Sequence, residues 1–472
     1  MGEAFSRDGT GSAKWARAGA GRIAMGIADM DLPGPAAVGA ALRVRAGHPA
    51  FGYPVAEEAD RVLVARWYRR RHGVEVPPQW VMLLPFAPGT AVRLLLEAAR
   101  PLSGPAVCVT PEWNGFVRAC RAAGVPVREV PLLSPGQQEN AFRSVREASL
   151  SHSPGQRENA FRLVPGVPPL HSPHQLDSAF RLVPEVPPLH SPDQQENAFP
   201  LVPEVPPLRS PNQRENAFRS MPEAPLASPA SLPHSPDQRE NAFRLPLQEI
   251  AAARPGMVLL SSPNNPTGLL WPAEDIRALA RTAAPGLLVS DEVHGDLRHP
   301  DAGVPHPVAV AVTDGAPNVV TLNSVGKTFN VSGVPSCLAL VPDPALRARL
   351  TEVMAGFGLW EGGLLGALVQ RAALAEGEAW LAGLLERLVT AREAATAALG
   401  DAVLARPQAS FLLWLDGSGL GTREQLLTQR QVELANGSDF GPAGSGCLRL
   451  NFALPPDRLR TALTRLTCTT AS

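Results

Sequence analysis

Short apolar runs closed by polar or turn-forming residues recur along this chain, at 106–111, 125–131, 257–261, 287–291, 319–322 and 411–416. Runs of this length, bounded by Gly, Pro, Asn or Asp, predict buried strands. Between them lie stretches with apolar positions at helical spacing, at 36–46, 57–72, 92–99, 248–254, 345–354 and 364–390. A further helix is expected from Trp271-Pro-Ala-Glu-Asp, which places proline and acids in a first turn. Strands alternating with helices predict an α/β fold. Residues 1 to about 20 carry no such pattern and read as a flexible arm.

The pattern changes between 134 and 243. A unit Ser-Pro-x-Gln-x-x-x-Ala-Phe recurs, with Ser-Pro at 134, 153, 172, 191, 210 and 235. Each unit has one short apolar stretch and several prolines, which leaves no second face to stack and few ladder donors. The block therefore predicts an extended or disordered loop. Excising 134–234 joins Leu133 to Ser235 and leaves one uninterrupted chain. Tandem expansion of a surface loop explains this, and loop-closure cost rises slowly enough to allow it.

Composition adds mainly exclusions. The 472 residues carry a formal charge of -1, which gives no reason to expect nucleic acid or an anionic membrane as partner. The basic run 69–72 reads as a solvated helix end. Five cysteines, at 108, 120, 337, 447 and 468, have neither metal-ligand nor disulfide-rich spacing, so no metal is expected and a reducing compartment is the plain reading. No apolar run is long enough to span a bilayer, and the start lacks the apolar core of a secretory signal, so a cytoplasmic location is expected.

Three strand ends carry the candidate chemistry: Ser262-Pro-Asn-Asn265-Pro-Thr-Gly268, Ser290-Asp291-Glu-Val-His294, and Asn323-Ser-Val-Gly-Lys327-Thr-Phe-Asn. Taken singly, each has an ordinary explanation: a tight turn, a capping aspartate, a surface lysine at a strand end. In order, they offer an amide, a carboxylate and an amine. That set suits a pyridine aldehyde cofactor, with the amine forming a Schiff base and the carboxylate holding the ring nitrogen protonated. Arg449, on the short apolar run Cys447-Leu-Arg-Leu-Asn451, needs an anion if buried, either a structural carboxylate or a ligand.

Together these motifs resemble the fold-type I pyridoxal-phosphate enzymes of the class I/II aminotransferase superfamily. The likeness is closer to the MalY/PatB-type cystathionine beta-lyases. It covers about 20 to 457, interrupted once, and draws in Ala28-Asp-Met-Asp31, Phe51-Gly-Tyr53 and Glu376-Gly-Glu-Ala-Trp380. It implies a large mixed-sheet, three-layer domain plus a smaller α/β domain. The corresponding division is 1–50 arm and small-domain segment, 51–133 and 235–340 large domain, 134–234 insertion, and 341–472 small domain.

The same resemblance assigns roles. Lys327 would carry pyridoxal 5'-phosphate and take the substrate's Cα proton. Asp291 would face the pyridine nitrogen, Asn265 the ring oxygen, and His294 that oxygen or a neighbouring subsite. Trp113, where tyrosine is usual, would stack on the ring, although core packing is its ordinary reading. Gly89, Thr90 and Ser324 would hold the phosphate, and Tyr53 would reach it from the second subunit of a homodimer. Arg449 would clamp the α-carboxylate of an L-amino acid. Two departures stand out: Gly326 replaces the serine usual before the lysine, and Asn264 replaces a histidine. The implied activity is a carbon–sulfur β-lyase giving thiol, pyruvate and ammonia. The alternatives are an aminotransferase using the same residues, and a catalytically degenerate paralogue.

Overall fold

The computed structural model describes residues 7, 9–133 and 243–468, so the expectations placed on the 134–234 repeats lie outside the described residues. After a two-residue strand β1 (Ile23–Ala24), a seven-stranded sheet is built from both sides of the repeats. Its strands are β2 (Val81–Leu84), β3 (Ala106–Thr110), β4 (Val127–Pro131), β5 (Met257–Ser261), β6 (Leu287–Asp291), β7 (Val319–Asn323) and β8 (Cys337–Leu340). The order is β2-β8-β7-β6-β5-β3-β4. The run from β7 to β4 is parallel, while β8 is antiparallel to both neighbours.

The sheet separates two cores. Val107, Val109, Val258 and Leu260 point to one face, and Cys108, Met257, Leu259 and Val289 to the other, as a period of two requires. Helices Glu58–His72 and Ala273–Ala283 cover the first face with Val64, Trp67, Ile276 and Leu279. Helices Pro88–Ala98, Gly115–Ala122 and Pro344–Gly356 cover the second with Leu95, Phe116 and Leu346. Burial on both faces is why these strands read as unbroken apolar runs. Each such aliphatic side chain contributes about 1.5–3 kcal/mol.

The smaller sheet has the order β12-β13-β10-β9, from β9 (Val403–Ala405), β10 (Leu412–Asp416), β12 (Ala435–Asn436) and β13 (Cys447–Asn451). β11 (Val432–Glu433) pairs in parallel with β1, which ties the amino-terminal segment to this carboxyl-terminal part.

Two expectations need correction. The helical stretch 364–390 is two helices, Leu364–Glu376 and Glu378–Leu399. They break at Gly377, where a Cβ would lie 2.4 Å from the Phe329 ring. The described part of the arm is not loose either: Ala13–Ala18 is helical and Lys14 is buried. Lys14 Nζ donates to the Asp29 carbonyl at 2.8 Å and pairs with Asp31 at 3.1 Å. Trp15 Nε1 donates to Asp31, and Arg7 pairs with Asp29. The two carboxylates of the Ala28-Asp-Met-Asp31 run thus hold the arm down, through pairings that local spacing does not reveal.

Candidate active site

Parallel strands present their carboxyl ends along one edge, the usual ligand position of α/β sheets. Ser261 is paired with Asp291, and Asp291 with Leu322, across β5, β6 and β7. The chain then runs on to Asn265, His294 and Lys327, while β3 leads to Glu112 and Trp113. A cavity of about 610 Å³ opens there, lined among others by Gly89, Trp113, Asn265, Asp291, His294, Ser324, Lys327 and Arg449.

Lys327 is presented by a short helix, Val325–Thr328, that is fastened on all sides. Thr328 Oγ1 donates to buried Asp296 at 3.2 Å, and the Phe329 ring packs against Trp67 and Trp380. Asn330 donates to the carbonyls of Met30 and Leu32 and accepts from Met30 N–H. Its φ of 56° suits asparagine, one of the few residues that tolerate this region. The Lys327 amine donates to the Ala28 carbonyl. Burial, with help from Arg449, lowers its pKa to about 8 against the pull of Asp29 and Asp291. A minor but usable fraction of the amine is therefore neutral and nucleophilic near physiological pH.

Asp291 is buried and accepts one backbone N–H, from Val293 at 3.2 Å. Burial raises its pKa to about 7, Val293 opposing and Glu292 adding to the rise. Both ring nitrogens of buried His294 lack a hydrogen-bond partner among the described residues. Burial, Lys327 and Arg449 hold its pKa well below the usual histidine value. Arg449, 7 % exposed, donates Nη1 to Asn265 Oδ1 at 2.9 Å and Nη2 to the Gly26 carbonyl at 2.6 Å. Its Nε has no partner among the described residues, and the guanidinium lies 4.7 Å from the Phe440 ring centroid. Burial lowers its pKa to about 10, so it remains a cation bonded to neutral oxygens.

The remaining expected residues divide. The Trp113 indole folds over Gly89 and Gly115, and a Cβ on Gly89 would lie 2.9 Å from it. Ser324 lines the cavity, but its hydroxyl already serves the backbone. Thr90 is exposed and is not among the lining residues. Tyr53 is 91 % exposed, lies outside the cavity and meets Trp360 edge-on at 5.4 Å.

Comparison with known proteins bears on the fold. The sequence model of the family described as "Aminotransferase class I and II" matches residues 232–466. "Cystathionine beta-lyase PatB" of Bacillus subtilis is 25% identical over 481 residues, covering 98% of this chain and 97% of that protein. Other curated relatives bearing the cystathionine beta-lyase name are matched over little more than half of their length, 56% and 58% in two cases. Cystalysin from Treponema denticola superposes with a TM-score of 0.69 at 17% identity, over 98% of this chain and 97% of that one. The PLP-bound C-S lyase from Staphylococcus hominis does so with 0.70 at 16%, again over 98% and 97%. This is the architecture of the fold-type I pyridoxal-phosphate-dependent aminotransferase superfamily.

The cavity fits the superfamily's cofactor in its chemistry. It offers an amine with a lowered pKa, a buried carboxylate short of donors, and unpaired polar atoms on His294 and Ser336. Gly89 lets the Trp113 indole pack closely over the backbone at the cavity's edge. Among the described residues no group of His, Cys, Asp and Glu is arranged to hold a metal ion. No helix among them is long and apolar enough to cross a membrane.

Reading the sequence missed one buried acid of this cavity's edge. Glu112 accepts from Ser261 N–H at 2.8 Å, Ser261 Oγ at 2.5 Å and Trp113 N–H at 2.7 Å. Ser261 Oγ in turn accepts from Asn265 N–H at 2.9 Å, so Glu112 braces the Asn265 turn from behind. Burial lifts its pKa to about 8 against these donors, with Asp291 adding to the rise. Its place two residues beyond a fully buried strand was the available signal.

Proposed function

We propose that this chain is a pyridoxal-phosphate-dependent carbon–sulfur β-lyase acting on cystathionine- or cysteine-like L-amino acids. The observation that carries the reading is Arg449, a buried cation bonded to neutral oxygens and facing the same cavity as Lys327 and Asp291. Glu433 and Asp439 act on this guanidinium without forming an ion pair with it among the described residues; burying it so is costly, and an α-carboxylate matches its fork.

Bound in this cavity, the cofactor would supply a sink for the electron pair left at the substrate's Cα. Arg449 would fix the α-carboxylate, with Asn265 holding the guanidinium in place. Asp291 would keep a proton on the pyridine nitrogen, and Trp113 would cover the ring. The Lys327 amine would take the Cα proton. The electrons of that bond form a Cα–Cβ double bond as Cβ–S breaks, and sulfur leaves with its bonding pair. The enamine so released hydrolyses to pyruvate and ammonia.

The name and near full-length alignment of PatB support lyase over transferase chemistry. The second reading, an aminotransferase, draws on the family description and shares the proton abstraction by Lys327. The two differ in whether a thiolate leaves before the proton is returned. We further propose a homodimer, with Tyr53 reaching the partner's phosphate. Phe51, Tyr53, Val55, Phe357, Trp360 and Leu365 are exposed, a load of apolar surface suited to an interface.

The test is L-cystathionine and L-cysteine supplied to the holoprotein, with pyruvate and thiol assayed without any 2-oxo acid. Pyruvate formation that disappears in Lys327→Ala supports the lyase. Turnover that requires a 2-oxo acid acceptor would make the chain an aminotransferase instead.

A further inference from the structure

The phosphate end of the cavity departs from the expected arrangement. Gly326 lacks the hydroxyl usual before the lysine, and Ser324, its expected substitute, is already committed. Ser324 Oγ donates to the Ser336 carbonyl at 2.8 Å and accepts from Gly326 N–H at 3.1 Å, capping the Lys327 helix. A serine hydroxyl has one proton to give. Ser324 therefore has none left for a phosphate oxygen.

Besides Ser261, whose hydroxyl donates to Glu112, two other hydroxyls line the same cavity. Ser336 is 4% exposed, and its Oγ has no hydrogen-bond partner among the described residues. A buried hydroxyl is rarely left unpaired unless a ligand or water completes it. Ser332 Oγ lies 3.4 Å from the position a Cβ on Gly326 would take, with its own Cα at 3.3 Å. It fills the room that a side chain at 326 would claim. The cavity is also lined by Ala87, Pro88 and Gly89, at the start of the 11-residue helix Pro88–Ala98. No side chain caps that helix; Pro88 has no N–H and those of Thr90 and Ala91 go to the Ala87 carbonyl, which leaves the Gly89 N–H as the donor its first turn can offer an anion.

We propose that Ser332 and Ser336, rather than Ser324, donate the hydroxyl hydrogen bonds to the cofactor's phosphate monoester. The hydroxyl absent at 326 has been moved to 332, and the glycine makes space for it. Ser336 supplies a second donor, oriented by the bond that Ser324 makes to its carbonyl. The inference rests on the pyridoxal-phosphate reading of the site and specifies which of this chain's residues hold the phosphate.

The experiment titrates apoprotein with pyridoxal 5'-phosphate and, separately, with pyridoxal, which has the aldehyde but no phosphate, following absorbance. Ser336→Ala and Ser332→Ala should each weaken pyridoxal phosphate about 10-fold, and the double variant about 100-fold, while pyridoxal binding stays unchanged. Inorganic phosphate should compete with pyridoxal phosphate in the native protein and far less in the double variant. Ser324→Ala should lower the melting temperature and weaken both ligands alike, as loss of a cap would. Adding Gly326→Ser to Ser332→Ala should recover most of the affinity, a rescue that a purely structural serine would not give. Equal weakening of both ligands by the Ser332 and Ser336 variants, or a phosphate-specific loss confined to Ser324→Ala, overturns the assignment while the cofactor site stands. Native protein that binds neither ligand overturns the cofactor reading as well.

Discussion

Asp291 and Asp296 lie five positions apart on one buried segment and have opposite surroundings. Asp296 accepts from Trp67 Nε1 at 3.0 Å, His72 Nε2 at 2.8 Å and Thr328 Oγ1 at 3.2 Å. Burial pushes its carboxyl up, but His72, Arg71 and Trp67 outweigh this and hold it below the usual aspartate value. Asp291 has a single backbone donor and is pushed up to about 7. Between them, Glu292 is satisfied by His306, Ala309 N–H and Thr321. A buried acid surrounded by donors is a structural joint, whereas one left short of donors is waiting for a cationic or donor ligand. The difference singles out Asp291 as the acid left open to a ligand, without reference to any relative.

The largest effect should come from Asp291→Asn. Asparagine keeps the Val293 contact but cannot hold a pyridinium proton by charge, so lyase turnover should fall about 1,000-fold. The melting temperature of the apoprotein should stay level or rise, because a poorly solvated acid has been removed. Asp296→Asn should do the reverse. Its amide turns a donor toward Trp67, His72 or Thr328, and urea unfolding should show a loss of about 2–4 kcal/mol. Asp291→Asn losing as much stability as Asp296→Asn would erase the contrast.

The same contrast explains what the sequence disclosed. Apolar runs ending at Ser261, Asp291 and Leu322 marked three neighbouring strands, and Ser261, Asp291 and Ser324 at or just beyond their ends line the cavity. Arg449 was legible because an arginine amid Leu448 and Leu450 has few explanations. Asp296, His72 and Trp67 were not, because each lies within a pattern already accounted for by a helix or turn. Their meeting depends on packing between segments 224 and 229 positions apart. The docking of Lys14 on Asp31 and of Glu112 on Ser261 escaped notice for the same reason. Hydrophobic period reveals local elements, and it carries no information on which polar groups meet across them.

Glu112 extends the comparison to a second donor-rich acid that nonetheless stays high. Its pKa rises from 4.5 to about 8, so the native state binds more protons than the unfolded chain between those values. Stability must then fall as pH climbs through that window, by on the order of a few kcal/mol. Asp291, raised from 3.8 to about 7, adds a decline of the same sign over a lower range. Glu112→Gln should abolish the decline above about pH 7 and roughly halve it between 4.5 and 7, where Asp291 still contributes. Denaturation of the apoprotein at pH 5, 6.5 and 8 reads it directly. An unchanged slope in the variant would mean that Glu112 is ionised throughout, held so by Ser261 and Trp113.

Thr328→Val makes the finest cut, because it is nearly isosteric and removes a single donor from Asp296 beside the reactive lysine. Asp296 keeps Trp67 and His72, so the loss in urea unfolding should be about 1 kcal/mol, the net value of one such bond. The lysine helix keeps Phe329 against Trp67 and Trp380, and Asn330 on Met30 and Leu32, so cofactor affinity should change little. A loss equal to that of Asp296→Asn would place the joint at Thr328 itself. Asp296 would then matter chiefly as the acceptor that positions Lys327, and the line between structural and reactive acids would run through this segment differently.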